Sequence, residues 1–134
     1  MHKDEINKII AEFCGWKNIR ELDYQPIGTD PYIDGPSQVW VGIHPESDID
    51  SKEYEVIPDY CNDLNEMREV VEMLKGDEDI KYVNYLFASV GINRYYYMGA
   101  TPEAFPADRQ MKVINASALQ RAEAFLRTID KWEG

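Results

Sequence analysis

Four stretches of this sequence carry a single apolar stripe with the spacing of an α-helix. In each stretch apolar side chains recur every three or four positions, which places them on one face of a helix. The four stretches are residues 6–14, 64–74, 80–90 and 119–129. A helix with one apolar face must bury that face against another element. The pattern therefore predicts about four helices that share a core.

The ends of these stripes carry residues that cap helices. Glycines follow the first three stripes, where a left-handed C-terminal cap is expected: Gly15, Gly76 and Gly91. Asn62 or Asp63 is placed to cap the second helix, and Ser117 with Gln120 matches a capping box before the last. The stripe at 80–90 also contains tyrosines that suit a strand.

Residues 20–58 have a different character, because five of the seven prolines fall there or at its edge. Proline and glycine at this density are typical of loops and short strands. The best strand is 38–43, which is rich in β-branched and aromatic residues. The stretch 54–57 is a second candidate, and 24–27 is a third with a weaker pattern.

Residues 92–116 carry no single dominant pattern. Tyr95–Met98 suits a strand, Thr101 with Pro102 suits a helix start, and 111–114 alternates like another strand. Helices that bury one face need a sheet or one another to cover it. We therefore expect an α+β fold, with about four helices packed on a small, mostly antiparallel sheet.

The length and the charge of the chain limit the classes of protein to which it can belong. The 134 residues suit a single domain over 1–134, and the net charge is −11. An acidic surface repels phosphate backbones, so direct duplex binding is disfavoured. No apolar run is long enough to span a membrane, and the first residues lack a signal-peptide core. A cytoplasmic location is expected.

Two stretches together resemble small uncharacterised proteins of bacteriophages and prophages. They are 57–67, a Pro-Asp-Tyr entry into a helix, and 116–129, followed by Lys131-Trp132-Glu133. With Cys14-Gly15-Trp16, the set is similar to the phage ABA-sandwich domain family. The resemblance implies helix layers around a small sheet, an α/β/α sandwich, and a bacterial host cell. It implies no catalytic residue.

An aromatic run is the strongest candidate for a ligand or partner surface. Arg94 precedes Tyr95, Tyr96 and Tyr97, and tyrosine rings stack on bases or ligand rings. Trp40 and Tyr54 are candidates to extend this surface. In a strand, alternate tyrosines face opposite sides, and packing in the core or at an edge is the simpler interpretation of the run.

A second candidate combines one imidazole with nearby carboxylates, because His44 is followed by Asp48 and Asp50. Carboxylate oxygens suit hard cations and histidine suits zinc. No second histidine lies nearby, so a solvated acidic loop is the simpler interpretation, and no cofactor is predicted. Cys61 precedes a helix start, where a thiol pKa can fall, although a packed thiol is the plainer interpretation.

These observations favour a non-enzymatic phage or prophage accessory protein that binds a partner protein or itself. An acidic inhibitor of a host nucleic-acid-binding protein is one alternative. Another is a small-molecule binder that sequesters a nucleotide, with Arg94 and Arg109 placed to neutralise its phosphate. A metal-dependent enzyme ranks last. We expect the basic residues of the last helix, Arg121, Arg127 and Lys131, to lie on a solvated face.

Overall fold

The computed structural model describes residues 1–24, 37–47, 53–91 and 107–133. Within these ranges the chain forms five helices and three strands. In chain order the elements are α1 (Lys3–Phe13), β1 (Lys17–Tyr24), β2 (Ser37–Ile43), β3 (Glu55–Val56), α2 (Leu64–Val71), α3 (Glu78–Ser89), α4 (Ala107–Ile114) and α5 (Ala118–Thr128). The predicted α+β class is confirmed, and the tyrosine-containing stripe at 80–90 is helical.

The three strands form one antiparallel sheet in the order β1-β2-β3. β1 was not predicted where it lies, because Ile19 and Leu22 are its only aliphatic residues and they do not alternate cleanly. Its pairing with β2 shifts register between Lys17 and Arg20, and Asn18 within that shift has a φ of 52°. Asparagine tolerates this left-handed conformation better than most residues. Of the predicted strand 24–27, Tyr24 is the last residue of β1, and residues 25–27 lie outside the described residues.

The core is centred on α5. Ala122, Phe125 and Leu126 have no exposed surface there, and α1, α2 and α3 all contact α5. Phe13 of α1 meets Phe125 edge to face, with the ring centroids 5.0 Å apart. Ile6, Ile10 and Met67 complete the most deeply buried set. The helices therefore gather around one hub, and α1 also contacts β1.

Three of the predicted helix caps are formed in the structure, with the hydrogen bonds expected of them. The Asp63 side chain accepts hydrogen bonds from the backbone N–H groups of Asn65 and Glu66. Ser117 and Gln120 form a reciprocal capping box. At the end of α1, Gly15 has a φ of 97°, and the Trp16 N–H returns to the Ala11 carbonyl at 3.0 Å.

One helix boundary and one element type differ from the sequence prediction. α2 ends at Val71 rather than at 74, although Leu74 is still buried. The prediction of a strand at 111–114 is wrong, because these residues are the end of α4. Four alternating residues do not distinguish a strand from a helix end, and here a side chain of α5 holds the helix end, as described below. The predictions for 95–98 and 101–103 lie outside the described residues.

Among the described residues, no helix is both long enough and apolar enough to cross a membrane. The α/β/α layer order and the single domain over 1–134 stay predictions.

Candidate functional site

The predicted aromatic surface is described only in part. Arg94, Tyr95, Tyr96 and Tyr97 lie outside the described residues, and only the backbone of Arg109 is described. Trp40 and Tyr54 are both described, and the structure does not bring them together.

Trp40 and Tyr54 lie on opposite faces of the sheet. Trp40 packs against the helical core, and the Lys8 ammonium of α1 lies 5.6 Å from its ring centroid. Arg20 pairs in register with Val41, the neighbour of Trp40 on β2, so the Arg20 side chain is on the other face. The Arg20 guanidinium reaches across β2 to the Tyr54 ring at 4.1 Å. Each ring is thus already paired with a cation of this chain.

His44 makes two contacts with described residues, and both fix the position of its ring. Its ring meets Trp16 edge to face at 5.0 Å, and its Nδ1 accepts a hydrogen bond from the Glu46 backbone N–H at 3.0 Å. This bond leaves only Nε2 free to bind a metal. Asp48 and Asp50 lie outside the described residues. Within the described ranges, no group of three or more histidine, cysteine, aspartate or glutamate side chains is arranged to hold a metal ion.

Cys61 is held in a buried network and is not activated as a nucleophile. Its backbone N–H donates to Asn7 Oδ1 at 3.1 Å, and Asn7 Nδ2 donates to Asp59 Oδ1 at 3.0 Å. Burial, assisted by the Asp59 carboxylate, raises the pKa of the Cys61 thiol to about 11. The thiol is therefore protonated at neutral pH, and thiolate chemistry is disfavoured.

A groove between α2, α3 and α5 was not anticipated from the sequence. It encloses about 320 Å³, and we call it the α2–α5 groove. Its apolar lining comes from α2, and polar groups enter from all three helices. The residues that matter here are Leu64, Met67, Arg68, Val71, Tyr82 and Arg121. Met67 is fully buried, whereas Leu64 is half exposed, so the apolar lining runs from the core to the surface.

Tyr82 lines this groove, and its hydroxyl is buried. The residue is 6% exposed, and its hydroxyl has no hydrogen-bond partner among the described residues. Burial raises the pKa of this hydroxyl, and the Arg121 guanidinium opposes that rise through its charge and through a side-chain hydrogen bond longer than 3.5 Å. A buried hydroxyl without a partner costs about 1–3 kcal/mol of stability. Such an unmet group at a groove is therefore a candidate contact for a ligand.

Arg121 is anchored by the end of α4 rather than by an acidic side chain. Its Nε donates to the Ala116 carbonyl at 3.2 Å, and its Nη2 donates to the carbonyls of Val113 and Ile114 at 3.2 and 3.3 Å. No carboxylate of the described residues lies within ion-pair distance of Arg121. The guanidinium is thus fixed in place by backbone carbonyls, close to the Tyr82 hydroxyl and without an acidic partner in the described ranges.

The expectation of a solvated face for Arg121 is therefore wrong. The arginine is half buried because the carbonyls that end α4 need donors, and a guanidinium supplies them. Arg127, one turn and a half further along, instead pairs with Glu123 at 2.9 Å. No sequence signal distinguishes Arg121 from Arg127, because α4, whose end Arg121 contacts, was not predicted.

Comparison of the chain with protein-family models, curated proteins and solved structures finds no match. The resemblance to phage proteins therefore enters only as a proposal.

Proposed function

We propose that this chain is a non-enzymatic phage or prophage accessory protein of the ABA-sandwich type, acting in a bacterial host cell. Its role in this proposal is to bind a partner protein through the α2–α5 groove. The observation that carries the proposal is the groove itself, which joins an apolar lining to the unpartnered Tyr82 hydroxyl and the anchored Arg121 guanidinium. The resemblance of 57–67 and 116–129 supports the phage origin.

The shape and chemistry of the groove favour a protein segment as its occupant. An apolar groove between helices is a common seat for apolar side chains of a partner. Leu64 lines the groove and is 51% exposed, so an apolar side chain of a partner can reach the lining from the surface. A free nucleotide brings several negative charges to a chain with a net charge of −11, which opposes its approach.

The same charge argues for a partner other than a second copy of this chain. Two copies that approach each other repel, and the repulsion falls with added salt. We therefore favour a heterologous partner over self-association. If the protein is instead an acidic inhibitor of a host nucleic-acid-binding protein, its partner contacts the acidic exterior and not the groove.

Site-specific photo-crosslinking tests this proposal. A benzoylphenylalanine is placed at Leu64 on the groove rim, and the matched control carries it at Glu12, an exposed position on α1. After irradiation in a bacterial host, we expect a discrete adduct with a second protein from position 64 and none from position 12. Val71→Glu, which puts a charge into the groove lining, is expected to abolish that adduct.

Three results would contradict the proposal. Adducts that form equally from both positions would place the partner on the general surface, in favour of the inhibitor alternative. An adduct with the mass of two copies would indicate self-association. An adduct that survives Val71→Glu would show that the groove is not the contact.

A further inference from the structure

We infer that Tyr82 and Arg121 form a carboxylate-binding subsite within the α2–α5 groove. The occupant is an acidic group on the partner's segment, placed next to an apolar side chain that lies on Leu64 and Val71. This inference rests on the proposed function and specifies which chemistry the groove recognises.

The first argument is that the two polar groups lack what a carboxylate supplies. A carboxylate accepts hydrogen bonds through both oxygens, and the site brings together two donors, the Tyr82 O–H and the neighbouring Arg121 guanidinium. A bond to a charged acceptor is about twice as strong as one between neutral groups. Filling both donors at once also removes the cost of leaving the Tyr82 hydroxyl buried without a partner.

The second argument is that the arginine is held in place before any ligand arrives. Its Nε and Nη2 are bonded to three backbone carbonyls of residues 113–116. A side chain that is already fixed loses little freedom on binding, so more of the interaction energy appears as affinity. Carbonyl oxygens carry no full charge, so the guanidinium keeps its positive charge unneutralised among the described residues.

The third argument concerns which anion fits. The 25 acidic residues of the chain repel anions in general, and a doubly charged phosphate is repelled more than a carboxylate. The lining from α2 is apolar around Leu64, Met67 and Val71, which favours a ligand whose charge is confined to one end. Arg68 does not supply a second fixed cation, because it is 80% exposed and lies 3.6 Å from Glu72.

The test uses two small probes that differ only in charge. N-acetyl-L-leucine carries the carboxylate beside an apolar side chain, and N-acetyl-L-leucinamide replaces it with a neutral amide. Each is titrated into the ¹⁵N-labelled protein, and amide shifts are followed by NMR. For a ligand of this size we expect a dissociation constant on the order of 1 mM for the acid. The amide is expected to bind at least about fivefold more weakly, with shifts in α2, α3 and α5 for the acid.

Variants assign the effect to the two side chains. Tyr82→Phe removes only the hydroxyl, and Arg121→Gln removes the charge; both are expected to reduce the preference for the acid to less than about twofold. Arg127→Gln, on the same helix but paired with Glu123, is the matched control and is expected to leave the preference unchanged. Because Arg121→Gln also loosens the end of α4, Tyr82→Phe keeps the test decisive if the first variant unfolds.

The outcomes separate this inference from the proposed function. Equal binding of acid and amide, or no shifts in the groove, would overturn the carboxylate subsite even if crosslinking from position 64 succeeds. Tighter binding of inorganic phosphate than of the acid would also overturn it. Acid-selective binding that depends on Tyr82, with no crosslinked partner, would support the subsite and contradict the protein-binding role.

Discussion

The helices and the strands of this protein differ in how far apart in sequence the residues lie that form each element. Around α5, the ends of the helices are closed by neighbours in sequence, such as Ser117 with Gln120 and Asp63 with Asn65. Each strand of the sheet depends on partners outside its own segment instead, and Arg20 of β1 meets Tyr54 across β2. Local sequence thus specifies the helices, whereas long-range pairing specifies the sheet.

Asn7 connects the two kinds of structure. It lies in α1 but hydrogen-bonds to Asp59 and Cys61, in the segment that leads from the sheet into α2. A buried polar network of this kind tolerates little change, because each member left without a partner is costly.

The first prediction removes the centre of the helical core. Phe125→Ala should destabilise the protein by about 3–5 kcal/mol, because a fully buried aromatic side chain is lost and a cavity remains beside Phe13. Urea unfolding followed by circular dichroism measures this loss. Leu119→Ala, on the same helix but 36% exposed, is the control and should cost much less. Similar losses for both would mean that α5 is not the hub of the core.

The second prediction crowds the centre of the sheet. In Gly42→Ala, the added Cβ would lie 3.2 Å from the Lys17 carbonyl oxygen and 3.1 Å from Ile19 Cγ1. Because part of the obstacle is backbone, we expect a destabilisation of about 1–3 kcal/mol by the same urea measurement. Val56→Ala, an exposed sheet position, is the matched control. An unchanged midpoint for Gly42→Ala would show that β1 shifts without cost.

The third prediction returns to a local feature of the helices. Ser117→Ala removes the side chain that accepts from the Gln120 N–H at 3.1 Å, and should cost about 1 kcal/mol. Ser117→Asp keeps an acceptor and should recover most of the stability. Equal losses for alanine and aspartate would mean that position 117 acts through packing rather than capping.

The smallest predicted effect is the contact that spans the sheet. A double-mutant cycle of Arg20→Gln and Tyr54→Leu should give a coupling of about 0.5–1 kcal/mol, as expected for a partly exposed cation–π pair. A coupling of zero would leave backbone pairing as the main support of β3. A coupling above that range would mean that the contact between Arg20 and Tyr54 contributes as much to the free energy of unfolding as the Ser117 cap does.

The predicted helices were close to those in the structure because their signals are local. Ile6, Ile10 and Met67 fall on the predicted stripes and are fully buried. β1 and α4 were missed for a shared reason: their sequences carry few periodic apolar residues, so contacts from elsewhere decide their conformation. The candidate groove was missed for a similar reason, since Tyr82 and Arg121 are 39 positions apart in the chain.

The sequence by itself determined the α+β class, the helix stripes and their caps, because apolar periodicity and capping act over a few residues. Only the tertiary structure decided that Trp40 and Tyr54 face opposite sides, that Arg121 is anchored by the end of α4, and that Tyr82 is buried without a partner. These features depend on strand register and on how helices pack. Both are set by contacts between distant residues, which no local pattern encodes.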